Sequence, residues 1–334
     1  MNILNVTSGV QNNLLQSYFG ETGIEYTIGR VPMGGCDFST RKYTYDDTED
    51  DFMLSHFSLA SEDLEYKIPV IKRALSMSRS PIPLYASPWS APAWMKTNND
   101  LAGQGSLKGQ PGGPYYKTWA NYFVRFLDEY AANDVHFWGI TAQNEPLDGR
   151  IKNFSFNAMA FTAEQQRDFI ASDLGPALAA GGYGKLKLMI LDDQRLMLPQ
   201  WARVVLSDPE AAKFVSGIAV HWYIDFLVPV SILSDTHKEF PDTFILATEA
   251  CNGDLPWDIQ KVKLGSWKRG ENYAHSITED LNNWAIGWTD WNLALNTNGG
   301  PNWAKNFVDS PIIVNAETDE FYKQPTYYAI GHFR

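Results

Sequence analysis

Short apolar runs alternate with amphipathic helical patterns along all 334 residues, and that alternation leaves few folds open. The runs lie at 24–31, 82–87, 137–142, 186–191, 217–222, 244–248 and 286–293. They are near-continuous in apolar or small residues, as strands covered on both faces are. The stretches between them read as helices. Residues 114–130 place Trp119, Tyr122, Phe123, Phe126, Leu127 and Tyr130 along one stripe. Thr162-Ala-Glu-Gln165 is a capping box, and Asp208-Pro209 reads as an N-cap followed by a first helical residue. Strand, helix, strand, repeated, means a parallel sheet, either doubly wound or closed into a barrel. A doubly wound nucleotide binder shows a glycine fingerprint after an early strand. The nearest stretch, 103–109, has the wrong spacing and follows no strand. Polar and aromatic clusters instead close nearly every run: PMGGCD, SPWSAPAW, QNEP, DDQR, HWY, TEAC and DWN. Loading the C-terminal strand ends is the signature of a barrel. The expected fold is α/β, a (β/α)₈ TIM barrel, with residues 1–334 as one domain.

Composition narrows the chemistry. Apolar residues make up 44%, enough for a large core. The net charge of −12 argues against nucleic acid, whose phosphates need a basic face. Aromatic residues reach 14%; most are expected in packing and a few against a flat, hydroxyl-rich ligand such as a sugar. Cys36 and Cys251 are expected to be free, buried thiols. No run approaches the roughly 18 apolar residues of a membrane span. The first residues carry neither a charged nor an apolar leader region, so no signal peptide is read in this chain. The sequons at Asn5 and Asn153 point towards a secretory lumen. Six scattered His residues, without HExxH or a Cys/His cluster, lead to the expectation of no metal and no cofactor. No GxSxG elbow is present, which removes serine hydrolysis.

The carboxylates stand out. Glu145 closes HFWGITAQNEP and Glu249 closes FILATEAC, each at the C-terminal end of an expected strand. A buried charge there costs several kcal/mol unless compensated, which favours a functional role over a structural ion pair with Arg30. Two facing carboxyls are what glycoside cleavage requires, one to protonate the leaving oxygen and one to attack the anomeric carbon or activate water. With an early strand unseen, Glu145 would close strand 4 and Glu249 strand 7, on opposite sides of the mouth. Glu145 must then be protonated when substrate arrives, so its pKa is expected to be raised by burial and by Glu249.

At these residues the chain resembles the glucosylceramidases of glycoside hydrolase family 30, the lysosomal acid β-glucosidases of animals. The likeness runs over the whole length and is strongest in KGQPGGPYYKTWANYFVRFLDEYA, QQRDFIASDLGPALA, GIAVHWYIDF, GWTDWNLALN and GGPNWAKNFVDSPIIV. It implies that Glu145 is the acid/base and Glu249 the nucleophile of a retaining enzyme releasing glucose from glucosylceramide. It implies that Asp37, Trp89, Asn144 and Trp291 hold the glucosyl ring, with Asn306 a further contact. Arg30 and Tyr223 are implied to position the nucleophile, and His221 to form part of the polar floor. An activator protein, an anionic membrane surface and a lysosomal or secretory lumen follow from the same likeness. The sequence departs from the family at AQNEP, where AENEP is expected, and at Phe154, where Tyr is familiar. The family's first barrel strand and its β-sandwich are not read in this chain, so the expected barrel lacks its first strand. Two alternatives remain open: a related β-glycanase such as a xylanase, and an inactive truncated fragment.

Overall fold

The computed structural model describes residues 1–333. Seven parallel strands form one curled sheet in unbroken chain order: β1 (Gly29–Met33), β2 (Leu84–Pro88), β3 (Gly139–Thr141), β4 (Lys187–Gln194), β5 (Val215–His221), β6 (Phe244–Glu249) and β7 (Ala285–Trp288). Helix α1 (Ser8–Phe19) precedes β1. The crossovers are α2 (Ile68–Met77), α3 (Pro114–Ala132), α4 (Ala163–Phe169) with α5 (Gly175–Ala180), α6 (Gln200–Leu206) with α7 (Pro209–Ala212), α8 (Ser231–Glu239) and α9 (Trp267–Asn282). This is the wall of a TIM barrel, α/β throughout. β1 pairs with β2 and β7 with β6, and no ladder joins β1 to β7 among the described residues. An apolar slot of about 460 Å³ lies between them, lined by Ile28, Val31, Ile71, Leu75, Leu246 and Ile286.

The expected helix signals are where they should be. The aromatic stripe of α3 is fully buried, with Trp119, Phe126 and Tyr130 at 0% exposure. Thr162 Oγ1 accepts from the Gln165 N–H at 3.1 Å, and Gln165 Oε1 accepts from the Thr162 N–H at 2.9 Å. Asp208 caps α7 by accepting from the Glu210 N–H at 2.8 Å, with Pro209 as the first helical residue. Cys36 and Cys251 are free and buried. After β7 the chain adds a small three-stranded sheet of β8 (Leu295–Asn296), β9 (Ile312–Asn315) and β10 (Glu320–Lys323), then α10 (Pro325–Gly331). β9 and β10 pair antiparallel as a hairpin.

Two strand boundaries differ from the sequence reading. The run at 24–31 joins the sheet at Gly29 only, because Ile24 and Tyr26 donate their N–H groups to Ser17 and Tyr18 at the end of α1. The run at 286–293 is a strand only to Trp288: the Thr289 N–H makes a last bond to Ala247 of β6, and Trp291 then donates to Ala250, past the end of β6.

Candidate active site

The site is assembled at the C-terminal ends of the strands, where parallel barrels gather reactive groups. Glu249 is the last residue of β6. Glu145 lies four residues beyond β3, but its N–H still donates to Asp192 O at 2.8 Å, so β4 fixes its height. Its backbone is in the left-handed region at φ 38°, which costs a non-glycine residue energy and needs support from its surroundings. β3 and β6 are separated by two strands, and the two glutamates meet across the mouth. One oxygen of each, and one ring nitrogen of His221, lie within 4.8 Å of one another.

A buried charge network holds these groups. Arg30 of β1 reaches Glu249, Asp192 at 2.7 Å and Asn144 at 2.8 Å, and its Nε donates to Ser87 at 3.1 Å. Tyr223 donates its hydroxyl to Glu249 Oε1 at 2.6 Å. His221 bridges Glu145 through Nδ1 and Asp192 through Nε2, each at 3.0 Å. Asp192 is the residue that sequence reasoning missed. Its carboxylate also accepts from Thr141 at 2.6 Å and Thr248 at 2.7 Å, and it is fully buried. Burial opposes its charge, but Arg30, then His221 and Thr141, hold its pKa well below the usual carboxylate range. The DDQR cluster was its signal. The inward aim of Asp192 depends on the bulge between Leu191 and Asp193 and on left-handed φ at Leu191 and Asp192.

The opposite wall carries the other expected residues. Asp37 is buried and accepts from Asn306 Nδ2 at 3.0 Å and from Asn302 Nδ2 at 3.1 Å. Burial pushes its carboxyl up to about 7, while the two amide bonds pull the other way. Asn302 is a second omission of the sequence reading; its Oδ1 also accepts from the Asn306 N–H at 3.1 Å, so it braces both expected contacts. Trp89 and Trp291 stack 5.0 Å apart, and the Arg30 guanidinium lies over both rings. Asn144 spends its Oδ1 on Arg30, leaving Nδ2 without a protein partner among the described residues.

Protonation corrects one expectation. Glu145 is held below, not above, the usual range: burial raises it, but the His221 hydrogen bond and charge, the Asp148 contact and Arg30 outweigh that. His221 is the reason. Burial disfavours its charge, yet Glu249, Asp192 and Glu145 push the imidazole up to about 10, so it stands as an imidazolium. Glu249 is raised by burial and by Glu145, with His221, Arg30 and Tyr223 opposing. As a metal cradle the trio of Glu145, His221 and Glu249 is poor. Both ring nitrogens of His221 are committed to carboxylates, and Arg30 occupies Glu249.

A parallel barrel wall with two glutamates facing across its mouth defines the class of barrel hydrolases that work with paired carboxyls. The chain belongs to the glycosyl hydrolase family 30 TIM-barrel domain, whose family model matches residues 1–334. It is 58% identical over 334 residues to the mouse lysosomal acid glucosylceramidase, covering 100% of this chain and 64% of the relative. It is 50% identical over 325 residues to putative glucosylceramidase 4 of Caenorhabditis elegans, covering 97% and 62%. The chain thus spans less than two thirds of the length of these curated relatives. The crystal structure of SrfJ from Salmonella typhimurium superposes with a TM-score of 0.89 at 30% identity, covering 99% of this chain and 71% of that one.

Proposed function

We propose that residues 1–334 form the catalytic barrel of a retaining β-glucosidase that hydrolyses glucosylceramide to glucose and ceramide. Glu249 is the nucleophile and Glu145 the acid/base. The observation that carries this reading is the approach of the two carboxyls within 4.8 Å, with Glu249 held by Arg30 and Tyr223. Retaining enzymes keep their carboxyls about 5–5.5 Å apart, whereas inverting ones need a wider gap for water. The donors around Glu249 suit an ionised oxygen aimed at a carbon, and Glu145 opposite takes the His221 and Gln194 bonds on Oε1. Asp37, Asn306 and the Asn144 Nδ2 supply polar contacts for sugar hydroxyls, and Trp89 and Trp291 a flat apolar wall. The mouse relative's name supports a glycolipid substrate and a lysosomal setting, and the acidic net charge suits that compartment. An activator protein and an anionic membrane surface belong to the same reading. No helix among the described residues is long and apolar enough to cross a membrane.

The test is covalent. A fluorinated glucosyl inactivator should esterify Glu249, located by peptide mapping, and Glu249→Gln should abolish turnover. A label on any other residue removes the assignment.

A further inference from the structure

Glu145 carries a left-handed backbone at the centre of the site, and such a residue keeps its conformation only where its neighbours enforce it. We propose that Gln143 is a positioning residue for the reaction: its side-chain amide locks the Asn144–Glu145 peptide plane and so aims the Glu145 carboxyl. This rests on the glycosidase reading.

Gln143 lies two residues beyond β3, on the segment that carries Glu145, and is fully buried. Its Nε2 donates to Trp89 O and to Asn144 O, each at 2.9 Å. Both partners are backbone carbonyls, which only accept, so the nitrogen of the amide and not its oxygen faces them. The Asn144–Glu145 peptide is planar, and fixing its two polar ends fixes its orientation. Its oxygen is held by Gln143, and its N–H donates to Asp192 O of β4 at 2.8 Å. That orientation sets the Glu145 φ of 38°, in a region that a non-glycine residue leaves once the restraint is gone. One residue earlier, the Asn144 N–H donates to Pro88 O at 2.9 Å and ties the same turn to the end of β2. The other Gln143 bond reaches Trp89, whose ring stacks on Trp291. Gln143 therefore joins the acid/base to the apolar wall of the mouth.

The side chain itself points to the donor as its purpose. Gln143 Oε1 is buried with no partner among the described residues. An unmet buried acceptor is costly, and a Met would fill similar space without one. What Met cannot supply is an N–H. A Glu of the same size, as in AENEP, donates only when protonated, and then through a single O–H. The amide carries two N–H groups whatever the pH, and two carbonyls receive them here.

The experiment compares the 334-residue chain with Gln143→Met and Gln143→Glu. Hydrogen exchange at the Glu145 amide, read from overlapping peptides by mass spectrometry, reports the peptide plane. Its protection should fall about tenfold or more in Gln143→Met. Turnover reports the aim. On alkyl β-glucosides, whose leaving oxygen needs a proton, kcat/KM should fall about 100-fold, as for a misplacement on the order of 1 Å. Labelling of Glu249 by a glucosyl fluoride, which needs little acid assistance, should fall less than about fivefold, because Arg30 and Tyr223 hold Glu249 without Gln143. Gln143→Glu should recover part of both large losses near about pH 5, where a buried carboxyl still carries its proton, and fall to the Gln143→Met level by about pH 8. Parent-level protection of the Glu145 amide in Gln143→Met overturns the proposal. So do equal losses on the alkyl glucoside and the fluoride, or a Gln143→Glu variant no better than Gln143→Met at the acidic end. A parent chain never labelled at Glu249 would sink the glycosidase reading instead, and amide exchange would still decide whether Gln143 holds the plane.

Discussion

At the scale of the residue, the site is organised around one fully buried carboxylate, Asp192. Asp192 pairs with both Arg30 and His221, and so fixes the two cations that face the glutamates. Replacing it with Ala strands two buried cations, and breaking such a pair costs about 3–5 kcal/mol. Asp192→Ala should therefore lower the melting temperature sharply as well as abolish turnover, read by calorimetry and an aryl-glucoside assay. His221 gives the pH dependence its sign. Its folded pKa of about 10 lies above the ordinary value near 6.5, so its stabilisation is complete below about 6.5 and is lost as pH rises through about 10. Asp192 works the other way. Its contribution is present above about 3.9 and fades as pH falls towards its depressed value. Melting curves taken from pH 6 to 10 should show an alkaline decline that is shallower in His221→Gln. For Glu145, Ala substitution should slow poor leaving groups far more than activated aryl ones, and azide should rescue the latter as β-glucosyl azide. Equal losses without rescue would remove its acid/base role. Glu145 and Glu249 were legible because a Glu ending an apolar run is rare without cause. Asp192 and Asn302 were not: DDQR marked a strand end, but their roles come from a bulge and a side-chain brace that no spacing announces.

At the scale of the element, strong local signals survived and weak ones shifted. The α3 stripe, the Thr162 capping box and the Asp208 cap were legible because each is a local arrangement with its own energy. Thr162→Ala should cost about 1 kcal/mol, seen as a modest fall in melting temperature with kcat unchanged, since the cap lies at a helix start and touches no site residue. A change in the pH profile would show that α4 does more than support. The strands were legible as apolar runs but not as ladders. Residues 24–28 and 289–293 read as continuations of their runs, yet Ile24 and Tyr26 donate to the end of α1, and past Thr289, which still bonds β6, Trp291 donates to Ala250 beyond the end of β6. Apolar content reports burial, and only register decides which buried segment is a strand. That ambiguity mattered little for function, because Glu145 and Glu249 kept their separation of two intervening strands wherever the boundaries fell.

At the scale of the whole molecule, the sheet has two free sides facing one apolar slot. A closed barrel removes its edges by pairing the last strand with the first, but here β1 and β7 each pair on one side alone among the described residues. Ile286 of β7 is 59% exposed in that slot, and Leu281 and Phe333 are also exposed along it. An unpaired parallel edge beside exposed apolar side chains is a template for another chain. The net charge of −12 opposes this by general repulsion, but salt screens repulsion beyond about 8–10 Å and leaves edge pairing intact. The 334-residue chain should therefore associate as concentration rises, and more readily at high salt. Ile286→Lys places a charge in the slot at an exposed position, where a substitution alters stability by only about 0.5 kcal/mol. It should shift association to higher concentration while leaving the melting temperature and the Glu249 labelling rate nearly unchanged. Sedimentation velocity from low to high micromolar protein, at two salt concentrations, reads this directly. A parent chain that stays monomeric throughout, or an Ile286→Lys variant that associates equally, would mean that the slot is closed to other chains by its own side chains.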